Sequence, residues 1–176
     1  YGVLHSPEYR EQYASDLKKV LPRVPYAPDF RAFEKAGRTL AALHLDYETV
    51  EPWPVTEEAK PKGDLNDLAY YRVEKLRFAS KGGREKDRSV IVFNSRITIK
   101  GIPEQAYDYM VNGKSAIEWV MDRYEAATDK ESGIKDDPNE WCRESNDPAY
   151  ILNLLKRVIR VSMDTVEIVG GLPSIQ

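Results

Sequence analysis

Residues 70–103 read YYRVEKLRFASKGGREKDRSVIVFNSRITIKGIP, short apolar runs broken at intervals by basic side chains. From Tyr70 the period is two: Tyr71, Val73, Lys75 and Arg77 alternate with Arg72, Glu74, Leu76 and Phe78, which predicts a half-exposed strand. The β-branched run SVIVF predicts a second strand, NSR a short turn, and ITI a third. Three antiparallel strands over residues 70–100 are therefore expected, the first two joined by ASKGGREKDR. That connection carries Lys81, Arg84, Lys86 and Arg88, and residues 72–100 together hold nine Lys or Arg against three acids, a local net of +6. One stretch thus fixes a small central sheet and gathers positive charge on a hairpin.

On either side the period changes to that of helices. Ser6 is placed to N-cap a first helix, with Pro7 at N1 and Tyr9, Tyr13, Leu17, Val20 and Leu21 on one face. The prolines of LPRVPYAPDF stop it. A second helix, near residues 29–44, starts at Asp29 and lines up Phe30, Phe33, Ala36, Leu40 and Leu43. The acidic, Pro-rich stretch that follows is expected as a surface loop or an extended edge segment. Beyond the strands, Pro103 is expected to open a helix closed by Asn112-Gly113, and KSAIEWVMDRY to form another with Ile117, Val120, Met121 and Tyr124 inward. DKESGIKDDPNEW reads as a loop, and Pro148 starts a long helix whose Ile151, Leu154, Leu155, Val158, Ile159 and Val161 form a broad apolar face. The fold class is α+β, a helix-rich single domain with a small antiparallel sheet. Its parts are a helical segment over 1–45, a Pro-rich acidic loop over 46–69, basic strands over 70–100 and a helical part over 103–172.

The 176 residues carry a formal net charge of −3, with 41% hydrophobic and 31% charged residues, an ordinary globular balance. Against that background residues 46–67 hold seven acids and two bases, and residues 122–147 nine acids and four bases, so one basic island lies between two acidic stretches. Such an island can hold an anionic partner on a chain that stays acidic overall. No apolar run approaches the roughly 20 residues that span a bilayer, and no charged segment followed by an apolar one resembles a secretory signal. A single cysteine, Cys142, has no internal disulfide partner, which suits a reducing cytoplasm. The opening YGVLHSPEYR lacks Met, as expected of an excised part of a longer polypeptide.

Several chemistries lack their residues. A zinc site needs four close Cys, His or carboxylate ligands; His5 and His44 are far apart in sequence and read as interior or helix-end residues. Cys142 reads as a small buried apolar residue. SKGGREKD lacks the phosphate-loop pattern and leads into a strand rather than a helix. Pro28-Asp29 with Glu58-Ala59-Lys60 loosely matches the carboxylate spacing of a Mg²⁺ nuclease, but Asp29 reads as an N-cap and the Pro-rich context of Glu58 is unlike a core strand. Asp136-Asp137-Pro138-Asn139 reads as a turn.

The basic hairpin remains, and two explanations stand. Charged tips keep edge strands soluble and unpaired. Alternatively, a two-stranded ribbon fits the DNA major groove, where Arg and Lys pair with guanine O6 and N7. In that case Arg72, Lys75, Arg77, Arg96 and Lys100 on the strands join the four cations of the connection, Gly82-Gly83 permit close backbone approach, and Tyr70 and Tyr71 add phosphate hydrogen bonds or packing. Lys114 and Ser115 begin an expected helix whose N-terminus favours anions, with simple capping as the alternative.

The segments YGVLHSPEYREQYASDLKKVLPRVP, YRVEKLRF, ITIKGIPEQAYDYMVNGKSAIEWVMDRY and SGIKDDPNEW resemble the C-terminal part of type ISP restriction–modification enzymes, and the likeness runs from Tyr1 to VEIVGGLP. The resemblance implies a target recognition domain of a long single-chain bacterial protein of the cytoplasm. A nuclease, a helicase-like ATPase and an adenine-N6 methyltransferase would precede it, using Mg²⁺, ATP and S-adenosylmethionine. It implies double-stranded DNA and those upstream domains as partners, no membrane, and no catalysis or cofactor in this fragment. Consistently, NPP[YF], the phosphate-binding lysine loop and the DExH box are all missing from the sequence. Base-reading residues do not carry over from the resemblance, so the candidates rest on charge and geometry: Lys81, Arg84, Lys86, Arg88, Arg77, Arg96, Lys100, Lys114 and Ser115. The competing expectation is a protein–protein coupling domain that docks on the upstream domains through apolar faces without reading bases.

Overall fold

The central sheet forms and is one strand wider than expected. The computed structural model describes residues 1–60 and 67–175. Strands β1 (Thr56–Ala59), β2 (Arg77–Gly82), β3 (Glu85–Val92) and β4 (Ile97–Lys100) make one antiparallel sheet in the order β1-β4-β3-β2. In the pairs Ile91↔Ile99 and Ala59↔Ile97 the isoleucines share a face, and Ile91, Ile97 and Ile99 are all buried. The period of two sends Val90, Val92, Thr98, Lys100 and Glu58 to the opposite face.

Of the acidic stretch, residues 46–50 form a turn and 51–60 run on through edge strand β1, while 61–66 lie outside the described residues. Its charge has a local use. The segment is strapped to the last helix, where Arg157 and Arg160 donate to the carbonyls of Val50 and Glu51, Lys156 donates to Glu57, and Arg160 lies over Trp53.

The expected first strand is corrected in its N-terminal half. Tyr70 and Tyr71 belong to a helical turn, α5 (Leu68–Tyr71), and pairing starts only at Arg77. Val73 and Leu76 are buried as an alternating pattern requires, but the backbone finds other partners. Asn139 accepts from the Val73 amide at 2.8 Å and donates to the Val73 carbonyl at 2.7 Å, and Ala126 N–H donates to the Glu74 carbonyl. A side chain distant in sequence replaces the ladder.

Helices flank the sheet. The last, α8 (Tyr150–Gly170), buries Ile151, Leu154, Leu155, Val158 and Ile159 against Val73, Phe93, Ile99, Ile102 and Ile117 in the main core. The helix α4 (Phe30–Leu45) starts as read, with Asp29 accepting from Ala32 N–H. The expected first helix starts as read, with Ser6 capping and Pro7 at N1, but breaks at Tyr13 into α2 (Pro7–Gln12) and α3 (Ala14–Lys18), and an unexpected turn, α1 (Gly2–His5), precedes it. A smaller core joins Tyr9 of α2, Phe33 of α4 and Ile175 beyond α8.

Three further expectations change. Pro103 leads only into a 3₁₀ turn (Glu104–Tyr107). Asn112-Gly113 is the two-residue turn of a hairpin, β5 (Met110–Val111) with β6 (Lys114–Ser115), rather than a helix end. Both residues have positive φ, +48° and +86°, which suits the right-handed twist of paired strands. The loop over 129–141 likewise includes strand β8 (Lys135–Asp136), paired with β7 (Ala127–Thr128), and the start of α7 (Asn139–Glu144). Between these lies α6 (Ala116–Arg123), with Ile117 and Met121 buried as expected.

Candidate nucleic-acid interface

β2 and β3 extend past the sheet as a two-stranded ribbon. Its register slips between Phe78 and Ala79 and again between Ser80 and Gly82, bulges that sharpen local twist. The tip turns at Gly83-Arg84, where Gly82 and Gly83 have φ of +124° and +59°, a pair that residues with a side chain adopt only under strain. Lys81, Arg84 and Lys86 are exposed here, with no carboxylate within ion-pair distance among the described residues. Lys86 lies 6.0 Å from the Phe78 ring centroid. Asp87 is an anion of the same ribbon: the Ser89 hydroxyl and amide, more than the charge of Lys81, hold its carboxyl below the usual range.

Arg88 leaves the tip. Its guanidinium sits 4.1 Å from the Tyr107 ring centroid, 3.8 Å from Glu104 and 3.9 Å from Glu118, while the Tyr107 hydroxyl donates to the Arg88 carbonyl at 2.6 Å. It fastens the ribbon to the 3₁₀ turn and α6, so among the four cations of the connection it is the anchoring one. Burial, opposed by Arg88, pushes the Tyr107 phenol well above its ordinary range and keeps it a donor.

At the foot of the ribbon lies a cleft of about 400 Å³. Arg72, Lys75, Arg77 and Arg96 line it with the acid Glu74. Arg72 is occupied by Asp137 at 2.7 Å and Lys75 by Glu125 at 2.6 Å. Asp137 is buried; desolvation raises its pKa, but hydrogen bonds from Asn139 and Arg72 outweigh this and hold it well below the carboxylate range. Arg77 and Arg96 are exposed and make no ion pair among the described residues. The turn that presents Arg96 is pinned by Asn94, which accepts from the amides of Arg96 and Ile97, both at 2.8 Å, and donates to the carbonyls of Tyr70 and Arg72.

The remaining candidates lie elsewhere. Lys100 pairs with Glu58 at 2.7 Å on the outer sheet face, and Lys114 pairs with Asp122 and faces Trp119. Ser115 is corrected: it has no exposed surface and closes a capping box with Glu118 at the start of α6, so no phosphate reaches it. Asp29 and Glu58, the loose nuclease pair, are engaged separately, one capping α4 and the other holding Lys100. Among the described residues no three His, Cys, Asp or Glu side chains converge on a metal position.

Sequence reasoning passed over Asn94, Asn139 and the burial of Asp137. Asn94-Ser95 and Asp137-Pro138-Asn139 announce turns, but which distant backbone an amide will satisfy is a tertiary fact. The two histidines meet as well: His5 and His44 have ring centroids 5.3 Å apart, and His44 bridges the Tyr1 hydroxyl and Thr165 Oγ1. Burial, then the nearby His5, lowers the His44 pKa to about 4, so the imidazole is neutral and joins α1, α4 and α8 as a structural group.

The arrangement is that of a binding module: exposed cations without ion-pair partners among the described residues, on a two-stranded ribbon and at its foot. The chain belongs to the Type ISP C-terminal specificity domain family, whose model matches residues 1–154. Among solved structures, it is similar to a nuclease-deletion mutant of the Type ISP restriction–modification enzyme LlaGI in complex with a DNA substrate mimic. The identity is 47% and the TM-score 0.86, over 100% of this chain and 13% of that one. It is also similar to the ATP-dependent Type ISP restriction–modification enzyme LlaBIII bound to DNA, at 42% identity and TM-score 0.87, over 100% of this chain and 11% of that one. A DrdV–DNA complex matches at 33% identity and TM-score 0.80, over 100% of this chain and 17% of that one. This chain therefore spans less than a fifth of each of these relatives. No curated protein sequence matches it.

Proposed function

We propose that this chain is the DNA-reading module of a longer restriction–modification polypeptide, and that its ribbon enters a groove of the duplex. The observation that carries this is charge placement. On a chain with a net charge of −3, Lys81, Arg84, Lys86, Arg77 and Arg96 are exposed without ion-pair partners among the described residues and lie on one ribbon and its foot. Solved relatives in complex with DNA support the reading. Phosphate contacts would set the register of the module and base-edge contacts its specificity. Methylation, ATP-driven movement and cleavage would belong to upstream parts of the polypeptide, which would hold S-adenosylmethionine, ATP and Mg²⁺. The workplace would be the bacterial cytoplasm; among the described residues no helix is long and apolar enough to cross a membrane.

The test is DNA affinity of the intact polypeptide carrying Lys81→Ala, Arg84→Ala and Lys86→Ala. With about 1–3 kcal/mol for a good bidentate base contact, the triple variant is expected to bind its preferred duplex at least about tenfold more weakly. Unchanged affinity would overturn the assignment of the ribbon.

A coupling role is supported by a separate surface. Between α3 and α4, Val20, Val24 and Tyr26 are 84%, 98% and 73% exposed, and Leu21 and Phe30 are also largely uncovered. Five large apolar side chains within 11 residues suit docking on another part of the polypeptide. This surface is distinct from the ribbon, so the two roles are compatible.

A further inference from the structure

We infer that the cleft at the foot of the ribbon seats the phosphodiester backbone of the bound strand, a positioning site separate from the base-reading tip. The inference rests on the DNA-reading role above.

Three observations carry it. The first is charge left over after local pairing. Arg72 and Lys75 are met by Asp137 and Glu125, whereas Arg77 and Arg96 face the cleft with only Glu74 among its lining acids. Guanidinium groups match phosphate oxygens in a two-point geometry that a lysine ammonium cannot reproduce.

The second is rigidity. Arg77 begins β2 opposite Val92, and the Arg96 amide is held by Asn94 while its guanidinium lies 5.8 Å from the Tyr70 ring centroid. Backbone already held in place loses less freedom on binding than a mobile loop would.

The third is shape. A groove is entered by something that projects, and the backbone bordering it is a ridge that needs a hollow. The ribbon projects and the cleft is concave. At about 3.3 Å per residue, Arg77 stands roughly 17 Å from Gly82 along β2. The major groove is only about 8.5 Å deep. An upright ribbon with its tip on base edges would carry Arg77 about 8 Å beyond the rim of the groove, so it is an inclined ribbon that brings Arg77 and Arg96 down to the sugar–phosphate chain.

The experiment compares two variants of the intact polypeptide, Arg77→Ala with Arg96→Ala, and Lys81→Ala with Arg84→Ala. Affinity is measured between 50 and 200 mM salt on a duplex selected from a randomised pool and on a duplex of random sequence. One or two lost phosphate contacts lower the slope of log K against log salt by about 0.9 to 1.8. Over this fourfold salt range the affinity loss shrinks by about 3- to 12-fold relative to the unsubstituted protein. The cleft variant is expected to weaken both duplexes by the same factor, leaving their ratio intact, and Arg77→Lys with Arg96→Lys to keep the slope. A cleft variant with the original slope, while the tip variant weakens binding, overturns the phosphate seat and leaves the DNA-reading role standing. A changed ratio between the duplexes overturns it too, because the cleft then reads bases. No binding of either duplex by the unsubstituted polypeptide overturns the DNA-reading role itself.

Discussion

Replacing Asn139 by alanine should unfasten the segment that shapes the cleft, although Asn139 lies away from the ribbon. Its amide makes three hydrogen bonds: it accepts from Val73 N–H at 2.8 Å and donates to the Val73 carbonyl at 2.7 Å and to Asp137 Oδ1 at 2.6 Å. Val73 is fully buried, so truncation strands a buried amide and a buried carbonyl with no water to replace the lost partner. At about 1–3 kcal/mol for each such group, and with Asp137 still held by Arg72 and the backbone, the expected cost is about 2–6 kcal/mol. That is a large part of the roughly 5–15 kcal/mol that holds a domain together. For a chain of this size it corresponds to a fall in Tm of roughly 4–24 °C. Urea unfolding of the chain gives the free energy, and hydrogen exchange at the Val73 amide locates the loss. A cost below about 0.5 kcal/mol, or an unchanged exchange rate at Val73, would refute the reasoning, since an orphaned buried pair cannot be that inexpensive. The loosening should also weaken DNA binding by the intact polypeptide, because residues 72–77 carry Arg72, Lys75 and Arg77 into the cleft.

Gly37→Ala sets helix propensity against packing: alanine favours the helix by about 1 kcal/mol, but its Cβ would stand 2.9 Å from the Gly2 amide nitrogen where α1 crosses α4. Overpacking at about 1–3 kcal/mol should win, so a lowered Tm is expected and a raised one would mean that α1 shifts freely. Ser115→Ala removes the capping box of α6 and should cost about 1 kcal/mol in urea unfolding. DNA affinity should be unaltered, because the hydroxyl is buried. Asp137 should steepen acid unfolding. Its folded pKa lies below the unfolded value near 3.9, so its contribution is complete above about pH 5 and is lost as pH falls towards the folded value. Asp137→Asn should therefore be less stable at neutral pH and less sensitive to acid, as read from Tm across pH 2–7.

The sheet was legible because β-branched SVIVF and ITI carry their own period, and α4 and α8 because their apolar faces are long. Asp29, Ser6 and the burial of Cys142 were legible for equally local reasons. What escaped was decided by partners remote in sequence. Residues 70–76 alternate like a strand, yet Asn139, 66 positions after Val73, satisfies the backbone there in place of a neighbouring strand. Asn112-Gly113 fits both a helix end and a hairpin turn, and only the pairing of Met110 with Ser115 selects the hairpin. For the interface, the sequence identified where cations concentrate but not which of them local acids already hold. Arg88, Lys100 and Lys114 look like Arg84 in a charge count; Tyr107, Glu58 and Asp122 set them apart.

The most direct measurement is a crosslink from the ribbon tip. A photoreactive group attached through cysteine at position 84 in the intact polypeptide, irradiated with its preferred duplex, should join the protein to nucleotides within the recognised site. The same group at position 24, on the apolar surface, should join the polypeptide to itself. If position 84 captures only protein while the duplex is bound, the ribbon is not the DNA-reading element.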